Sequence, residues 1–244
     1  AMLHLGGTAI YLSQDNFKLG ERETVEDVAR NLERWVDGIM VRTFAHDNVK
    51  KMAAAVSIPV INGLTDYAHP CQALADVLTI KEHKGTLEGR KVAFIGDGNN
   101  VATSLSFASA HTGMHFACAS PEGYVLSPEV VAKARKLAAD TGATIEATTD
   151  PKAALEGADV VYTDVWTSMG QEKEKEERLK AFAAYQVNSK LLALARPDAI
   201  VLHCLPAHRG EEITDEVLDG PQSAVLDQSE NRLHAQKAVL SLLM

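Results

Sequence analysis

The chain has 244 residues, of which 46% are hydrophobic and 23% charged, and its formal net charge at pH 7 is −9; this length allows one large α/β domain or two smaller ones. The negative charge argues against a nucleic-acid surface or a basic membrane-binding stripe, although a few arginines and histidines can still form a pocket for a small anion. Three dispersed cysteines without a CxxC pair, and the lack of any long apolar run, predict a cytoplasmic protein with no metal signature and no membrane partner.

The first third of the sequence alternates predicted strands and helices. Met2 to Leu5 followed by two glycines is typical of the last turn of a helix with a glycine stop. Thr24 predicts a capped helix through Trp35, and a second helix is expected over 47–55. The stretch HPCQALADVLTIKEHKG, from residue 69, predicts a longer helix with a proline in its first turn. Strands are predicted in three stretches: TAIYLS (8–13), GIMVRTF (38–44) and IPVINGL (58–64).

The remaining sequence begins a second alternating pattern. KVAFIGDGNN (91–100) predicts a strand that breaks into a glycine turn before a helix. Further strands are predicted in MHFACAS, ATIEATT, DVVYTDV, AIVLHC and SAVLDQ. Regular alternation of strand and helix favours a parallel sheet covered on both faces. The charged run QEKEKEER predicts a solvated helix or loop, and SENRLHAQKAVLSLLM predicts a capped amphipathic helix that packs on the rest of the protein.

These patterns predict an α/β fold with two doubly wound parallel-sheet domains, the first of them truncated. We place the first domain at 1–84 and the second at 85–228, with glycines 85 and 89 marking the boundary. Residues 229–244 are predicted to form a C-terminal helix that packs back on the first domain. The first helical turn has no preceding residues that could begin it, so we expect the sequence to start within a structural element.

Polar residues follow several predicted strands or open helices. Cys204 comes directly after the apolar run 199–202, and ligands of parallel-sheet proteins gather beyond the carboxyl ends of strands. A buried structural cysteine is an equally good interpretation of that position alone. Four residues supply hydrogen-bond donors that together suit an anion such as a phosphate, with the helix terminus at residue 69 adding its positive end: Arg42, His69, Gln72 and Arg232. Singly, each has an ordinary structural explanation, such as a helix cap or a surface side chain.

A second group of residues suits an amino acid. DVWTSMG supplies the carboxylate of Asp164 and the hydroxyl of Ser168, and GDGNN supplies two side-chain amides. A nicotinamide-dependent oxidoreductase is an alternative, because GDG after a strand resembles the start of a dinucleotide fingerprint. Val101 stands where the third glycine should be, and the next strand ends in Ser120 instead of an acidic residue. Both departures argue against the dinucleotide.

Taken together, HPCQALAD, GDGNN, DVWTSMG, HCLPAHRGEEIT and SENR resemble the successive motifs of the ornithine carbamoyltransferases, in the aspartate/ornithine carbamoyltransferase family. The resemblance implies one domain for carbamoyl phosphate and one for L-ornithine, joined by two long helices: the one after His69 and the C-terminal one. It implies carbamoyl transfer to the ornithine side-chain amine, a homotrimer with sites at subunit contacts, and no cofactor or metal. Both arginine biosynthesis and arginine breakdown are compatible with it.

Site residues follow from the resemblance position by position. The residues implied to bind carbamoyl phosphate are Arg42, His69, Gln72, Cys204, Leu205 and Arg232. Those implied to bind ornithine are Asn100, Asp164, Ser168 and Met169. Catalytic roles fall to Cys204, Arg42, His69 and Asp164, and the bond between Leu205 and Pro206 is implied to be cis.

The sequence departs from the family in one respect. The Ser-x-Arg-Thr stretch that binds phosphate in the family is absent, and counting back from Arg42 it would fall just before Ala1. We therefore expect the sequence to be a fragment of a complete enzyme. The alternative is a catalytically impaired, carbamoyltransferase-like protein that binds amino acids or partner chains without turnover.

Overall fold

The computed structural model describes residues 1–13, 19–167, 170 and 172–244. A small first unit precedes a larger one. The first unit is built around a compact apolar cluster. Its elements are α1 (Val25–Leu32), β1 (Ile39–Arg42), α2 (His46–Ala55) and β2 (Val60–Leu64). Strands β1 and β2 form a parallel pair. The hydroxyl oxygen of Thr24 accepts a hydrogen bond from the backbone N–H of Asp27 at 3.1 Å, so the predicted helix cap is present.

The start of the chain differs from the prediction. Met2–Leu5 forms a 3-10 helix that ends at Gly6, whose φ of 82° is the left-handed conformation of a glycine stop. The strand predicted over 8–13 is wrong, because these residues have no regular secondary structure. Ile10 and Tyr11 are exposed there. Apolar residues in a short segment do not form a strand unless a neighbouring strand pairs with its backbone.

The larger unit is built on five parallel strands in the order β5-β4-β3-β6-β7. Their bounds are β3 Lys91–Ile95, β4 His115–Ala119, β5 Ile145–Thr148, β6 Val160–Thr163 and β7 Ile200–His203. Alternate residues of β3 enter two separate cores: Phe94 packs in one and Ile95 in the other. Both sheet faces are therefore covered, which explains why β3, β4, β6 and β7 read as apolar runs.

Helices cover each face of the five-stranded sheet. Those packed on the Phe94 side are α4 (Asn100–Thr112) and α5 (Pro128–Ala138), and those on the Ile95 side are α6 (Pro151–Leu155), α7 (Lys175–Phe182), α8 (Ser189–Leu192) and α9 (Asp215–Leu218). The predicted doubly wound α/β fold is confirmed. No helix within the described ranges is both long and apolar enough to cross a bilayer.

Two long helices connect the units. Helix α3 (Pro70–Lys84) leaves the first unit, and α10 (Val225–Leu243) packs along it. The Asn231 side-chain amide of α10 donates to the hydroxyl of Thr79 at 3.0 Å, in a buried polar seam. The predicted strand SAVLDQ is wrong, because α10 already begins at Val225, and SENR lies one turn inside the helix. A short apolar run fits a buried strand and a packed helical turn equally well.

Candidate active site

The site lies where the order of the five-stranded sheet reverses. The chain leaves β3 toward β4 on one side, whereas β6 and β7 lie on the other, so a crevice opens beyond the ends of β3 and β6. A cleft of about 2330 Å³ extends from this crevice to the first unit. Seven of the sequence-predicted site residues line it: Arg42, His69, Asn100, Asp164, Cys204, Leu205 and Arg232. Gln72 lies behind Arg232, and Ser168 and Met169 lie outside the described residues.

Cys204 and Asp164 form a direct pair. The Cys204 thiol, just past β7, donates to Oδ1 of Asp164, just past β6, at 3.0 Å. Burial raises the pKa of the Cys204 thiol well above its ordinary value, and the neighbouring Asp164 carboxylate raises it further. The sulfur is therefore a neutral hydrogen-bond donor at physiological pH and a poor nucleophile.

The two amides of the GDGNN turn hold different parts of the cleft. Asn99 caps α4 by accepting from the backbone N–H groups of Val101 and Ala102, and its Nδ2 donates to Oδ2 of Asp164 at 2.8 Å. Asn100 Nδ2 donates to the carbonyl of Thr65 at 2.7 Å, which joins the two units. The sequence interpretation assigned both amides to the amino-acid site but named only Asn100 among the ornithine-binding residues. An asparagine directly before a helix was the available signal for Asn99.

His69 stands at the N-terminus of α3 with its imidazole buried. Its backbone N–H donates to the hydroxyl of Ser104 at 2.7 Å, which fixes the start of the helix against α4. Nδ1 of the ring has no hydrogen-bond partner among the described residues. Burial lowers the pKa of His69 to about 3, and the charges of Arg232 and Arg42 contribute to the shift. The ring is therefore neutral at physiological pH, at a place where anions are favoured.

Arg232 and Gln72 meet across the α3–α10 seam. Arg232 Nη1 donates to Gln72 Oε1 at 2.7 Å, while the guanidinium lines the cleft. Arg42, the last residue of β1, also lines the cleft. The part of the cleft near His69 thus combines the guanidinium groups of Arg232 and Arg42 with a helix N-terminus, and this combination suits a dianion.

The HCLP turn is stabilised by hydrogen bonds to the buried side chain of His203. Leu205 has a φ of 52° and a cis bond to Pro206, as the resemblance implied. Its backbone N–H donates to Nδ1 of His203 at 2.9 Å, and Nε2 of His203 lies 3.0 Å from a Glu212 oxygen. His203 and Glu212 are fully enclosed. Atoms of Asp164, His203 and Cys204 lie close enough to hold a metal ion, but all three side chains are already engaged in hydrogen bonds within the protein.

Arg178 was missed by the sequence interpretation. The predicted solvated run contains it, yet its side chain is buried. Nη1 donates to Asp97 Oδ2 at 2.7 Å and to the carbonyl of Trp166 at 2.9 Å, and Nε donates to Glu174 at 3.0 Å. Arg178 therefore ties the GDGNN turn to the start of the DVWTSMG loop. No local sequence signal distinguishes it from its charged neighbours.

The glycine turn differs from that of dinucleotide-binding proteins, in which the second glycine leaves space for the pyrophosphate. A Cβ on Gly98 would lie 2.2 Å from the backbone nitrogen of Leu126. The Gly98 N–H also donates to the carbonyl of Tyr124 at 2.9 Å. This glycine is thus required by the close approach of the protein's own loop, whereas in the fingerprint it admits the pyrophosphate.

Fold and site together define a doubly wound α/β protein with one cleft for a small anion and a polar second molecule. Two family models match the chain: "Aspartate/ornithine carbamoyltransferase, carbamoyl-P binding domain" over residues 1–82 and "Aspartate/ornithine carbamoyltransferase, Asp/Orn binding domain" over residues 88–243. The chain belongs to the aspartate/ornithine carbamoyltransferase family. The resemblance drawn from the five motifs is confirmed.

Individual relatives share about half of the sequence. An ornithine carbamoyltransferase of Symbiobacterium thermophilum is 57% identical over 240 residues, which are 98% of this chain and 77% of that protein. An anabolic ornithine carbamoyltransferase of Pyrococcus furiosus is 54% identical over 244 residues, which are 100% of this chain and 78% of that protein. The solved structure of ornithine carbamoyltransferase from Pyrococcus furiosus superposes with a TM-score of 0.97, covering 100% of this chain and 78% of that one at 54% identity.

Proposed function

We propose that the protein is an ornithine carbamoyltransferase, which transfers the carbamoyl group of carbamoyl phosphate to the side-chain amine of L-ornithine and releases L-citrulline and phosphate. One observation carries the proposal: the Cys204–Asp164 pair faces the same cleft as the Arg42, His69 and Arg232 cluster. A neutral donor and a carboxylate suit an amine, and the cationic cluster suits an acyl phosphate. The names of the relatives support the same reaction.

Carbamoyl phosphate occupies the side of the cleft formed by the 1–84 domain and α10. Arg42 and Arg232 bind the phosphoryl and carbamoyl oxygens, with Gln72 behind Arg232. The neutral His69 donates one N–H to the carbamoyl oxygen, which gains negative charge as the tetrahedral intermediate forms. Cys204 and the carbonyl of Leu205 face the carbamoyl NH₂ group.

L-Ornithine occupies the side formed by the 85–228 domain. Asp164 attracts the cationic part of the amino acid, and Asn100 donates toward its carboxylate. The resemblance to the family also assigns Ser168 and Met169 to ornithine binding. Binding of both molecules in one cleft places the amine beside the carbamoyl carbon, which removes much of the entropic barrier to reaction.

The attacking amine has to be neutral, although its ordinary pKa resembles that of lysine. Nearby guanidinium groups and exclusion of water favour loss of its proton. The amine nitrogen then bonds to the carbamoyl carbon, the bond from that carbon to the phosphate oxygen breaks, and phosphate leaves with the bonding electrons. The second amine proton passes to the phosphate. Cys204 orients the amine through its hydrogen bond with Asp164 and forms no covalent intermediate.

The direct test is an assay for citrulline. Purified protein is incubated with carbamoyl phosphate and either L-ornithine or L-aspartate, and we expect citrulline with the first and no carbamoylated product with the second. Binding of ornithine without citrulline would favour the impaired binding protein, and carbamoylaspartate would move the protein to the aspartate-using relatives. A fluorescence titration with NAD excludes the dinucleotide alternative if no binding occurs.

The proposal extends to the number of subunits and to the cellular compartment of the protein. We infer a homotrimer in the cytoplasm, with the site completed at subunit contacts and without a metal or cofactor. Several large apolar side chains of the first unit are exposed in the single chain, including Trp35 and Phe44, and they are available for subunit contacts. Light scattering after size-exclusion chromatography measures the number of subunits.

A further inference from the structure

Asp76 is a buried carboxyl group to which the proposed reaction gives no role. It lies on α3, one helical turn beyond Gln72, and its side chain has no exposed surface. A carboxyl group in such a place is costly unless its neighbours hydrogen-bond to it.

Two amide groups converge on a single oxygen of Asp76. Oδ1 accepts from Nε2 of Gln72 at 2.9 Å and from Nε2 of Gln228, across the helix seam, at 2.7 Å. Both contacts are buried. The Tyr162 hydroxyl also hydrogen-bonds to the Asp76 carboxyl group.

This contact determines how the Gln72 amide is turned. A carboxylate oxygen accepts hydrogen bonds, whereas an arginine side chain donates them. The amide between Asp76 and Arg232 therefore has one favourable orientation, with its NH₂ toward Asp76 and its oxygen toward Arg232 Nη1, 2.7 Å away. Without the acceptor at residue 76, the amide is free to turn and the guanidinium loses its fixed partner.

The second amide links the same carboxyl group to the strand before Cys204. Gln228 Nε2 also lies 3.1 Å from the hydroxyl of Tyr162, and Gln228 Oε1 accepts from the backbone N–H of His203 at 2.8 Å. Asp76 thus lies at the point where α3, α10 and β7 are joined by hydrogen bonds.

We propose that Asp76 is a positioning residue for carbamoyl phosphate, which acts by fixing the Gln72 amide and, through it, the Arg232 guanidinium. The inference rests on the proposed function, because Arg232 is taken to bind that substrate. Asp76 itself does not line the cleft.

The accepting oxygen, and not the negative charge, is the feature that matters. Burial raises the pKa of Asp76 to about 7, against the opposing effect of the hydrogen bonds from Gln72, Gln228 and Tyr162. A neutral group that presents one oxygen in the same place satisfies both amides. Asparagine does so through its side-chain oxygen, with its NH₂ group in the position of Oδ2.

The experiment compares Asp76→Ala with Asp76→Asn. We expect the alanine variant to raise the KM for carbamoyl phosphate about tenfold, the scale of one lost buried hydrogen bond, while the KM for ornithine changes less than about twofold. The asparagine variant should stay within about threefold of the wild type for both substrates. Thr79→Val is the matched control, because it removes a buried α3–α10 hydrogen bond one turn away without touching Gln72.

Three results would overturn the inference: an unchanged KM in Asp76→Ala, an equal loss in Asp76→Asn, or the same rise in Thr79→Val. If the alanine variant does not fold, a rise of about tenfold in the KM for carbamoyl phosphate in Asp76→Asn overturns the inference by itself. Calorimetric titration with inorganic phosphate measures the anion site without turnover. Failure of the wild-type citrulline assay therefore counts against the proposed function, whereas unaltered phosphate binding in a folded Asp76→Ala variant counts against the role of Asp76.

Discussion

Acidification should destabilise the protein through His69. The imidazole is 6% exposed, and one of its ring nitrogens lacks a partner among the described residues. Burial, followed by the charges of Arg232 and Arg42, lowers its pKa to about 3 from an ordinary 6.5. The native ring therefore resists protonation over a pH range in which the unfolded chain takes up a proton.

The direction and magnitude of the stability change on acidification follow from proton linkage. As the pH falls from 6.5 toward 3, the unfolded state binds one more proton at residue 69 than the native state, so the free energy of unfolding decreases. The slope approaches about 1.4 kcal/mol per pH unit, which gives a loss of about 2 to 3 kcal/mol by about pH 4.5. Asp76 acts in the opposite direction: its raised pKa means that the native state gains stability as the pH falls through 7 toward 3.8. A total pH profile therefore mixes both effects.

A comparison with His69→Gln separates them. Urea unfolding of both proteins near pH 7 and near pH 4.5 should show that the wild type loses about 2 to 3 kcal/mol more than the variant on acidification. Glutamine keeps polar hydrogen-bonding capacity but does not titrate. Equal losses in the two proteins would refute the argument, because they would show that residue 69 carries no shifted titration.

Other substitutions test the remaining contacts of the cleft. Cys204→Ala should lower kcat about tenfold or more and raise the KM for ornithine, because the hydrogen bond to Asp164 is lost. An unchanged rate in the citrulline assay would show that Cys204 has no role in the site. Arg178→Met should lower the free energy of unfolding by about 3 kcal/mol, since a buried carboxylate loses its partner, and should raise the KM for ornithine. The exposed Arg209, paired with two aspartates, is its control. Arg209→Met should change the free energy of unfolding much less than Arg178→Met does, because solvent screens an exposed ion pair, and a similar cost in both variants would contradict the importance of burial. Asn99→Ala should cost about 1 kcal/mol in urea unfolding through the lost helix cap, and no loss would show that the cap is dispensable.

Local patterns in the sequence were sufficient for most of the fold. Four of the strands, β3, β4, β6 and β7, were recognisable because each is short, largely apolar and bounded by glycines or polar residues. The edge strand β5, with the sequence IEAT, alternates in polarity, and the alternation of all five with helices predicted a parallel sheet. Thr24 and Pro70 marked the starts of their helices, since capping depends on neighbours within one turn. The strand predictions for residues 8–13 and 223–228 were wrong, because an apolar run becomes a strand only where a partner strand pairs with it, and the run itself does not encode that partner.

The sequence by itself determined which chemical groups the protein carries and near which strand ends they stand. Only the tertiary structure decided their states: a neutral His69 beside two arginines, a protonated Cys204 beside Asp164, and a buried Arg178 within a charged run. Hydrogen bonding and burial depend on groups distant in the chain, as Asp76 and Gln228 show across 152 positions. The ionisation state and the orientation of each of these side chains are set by the groups around it. Those groups come together only when the two units pack against each other.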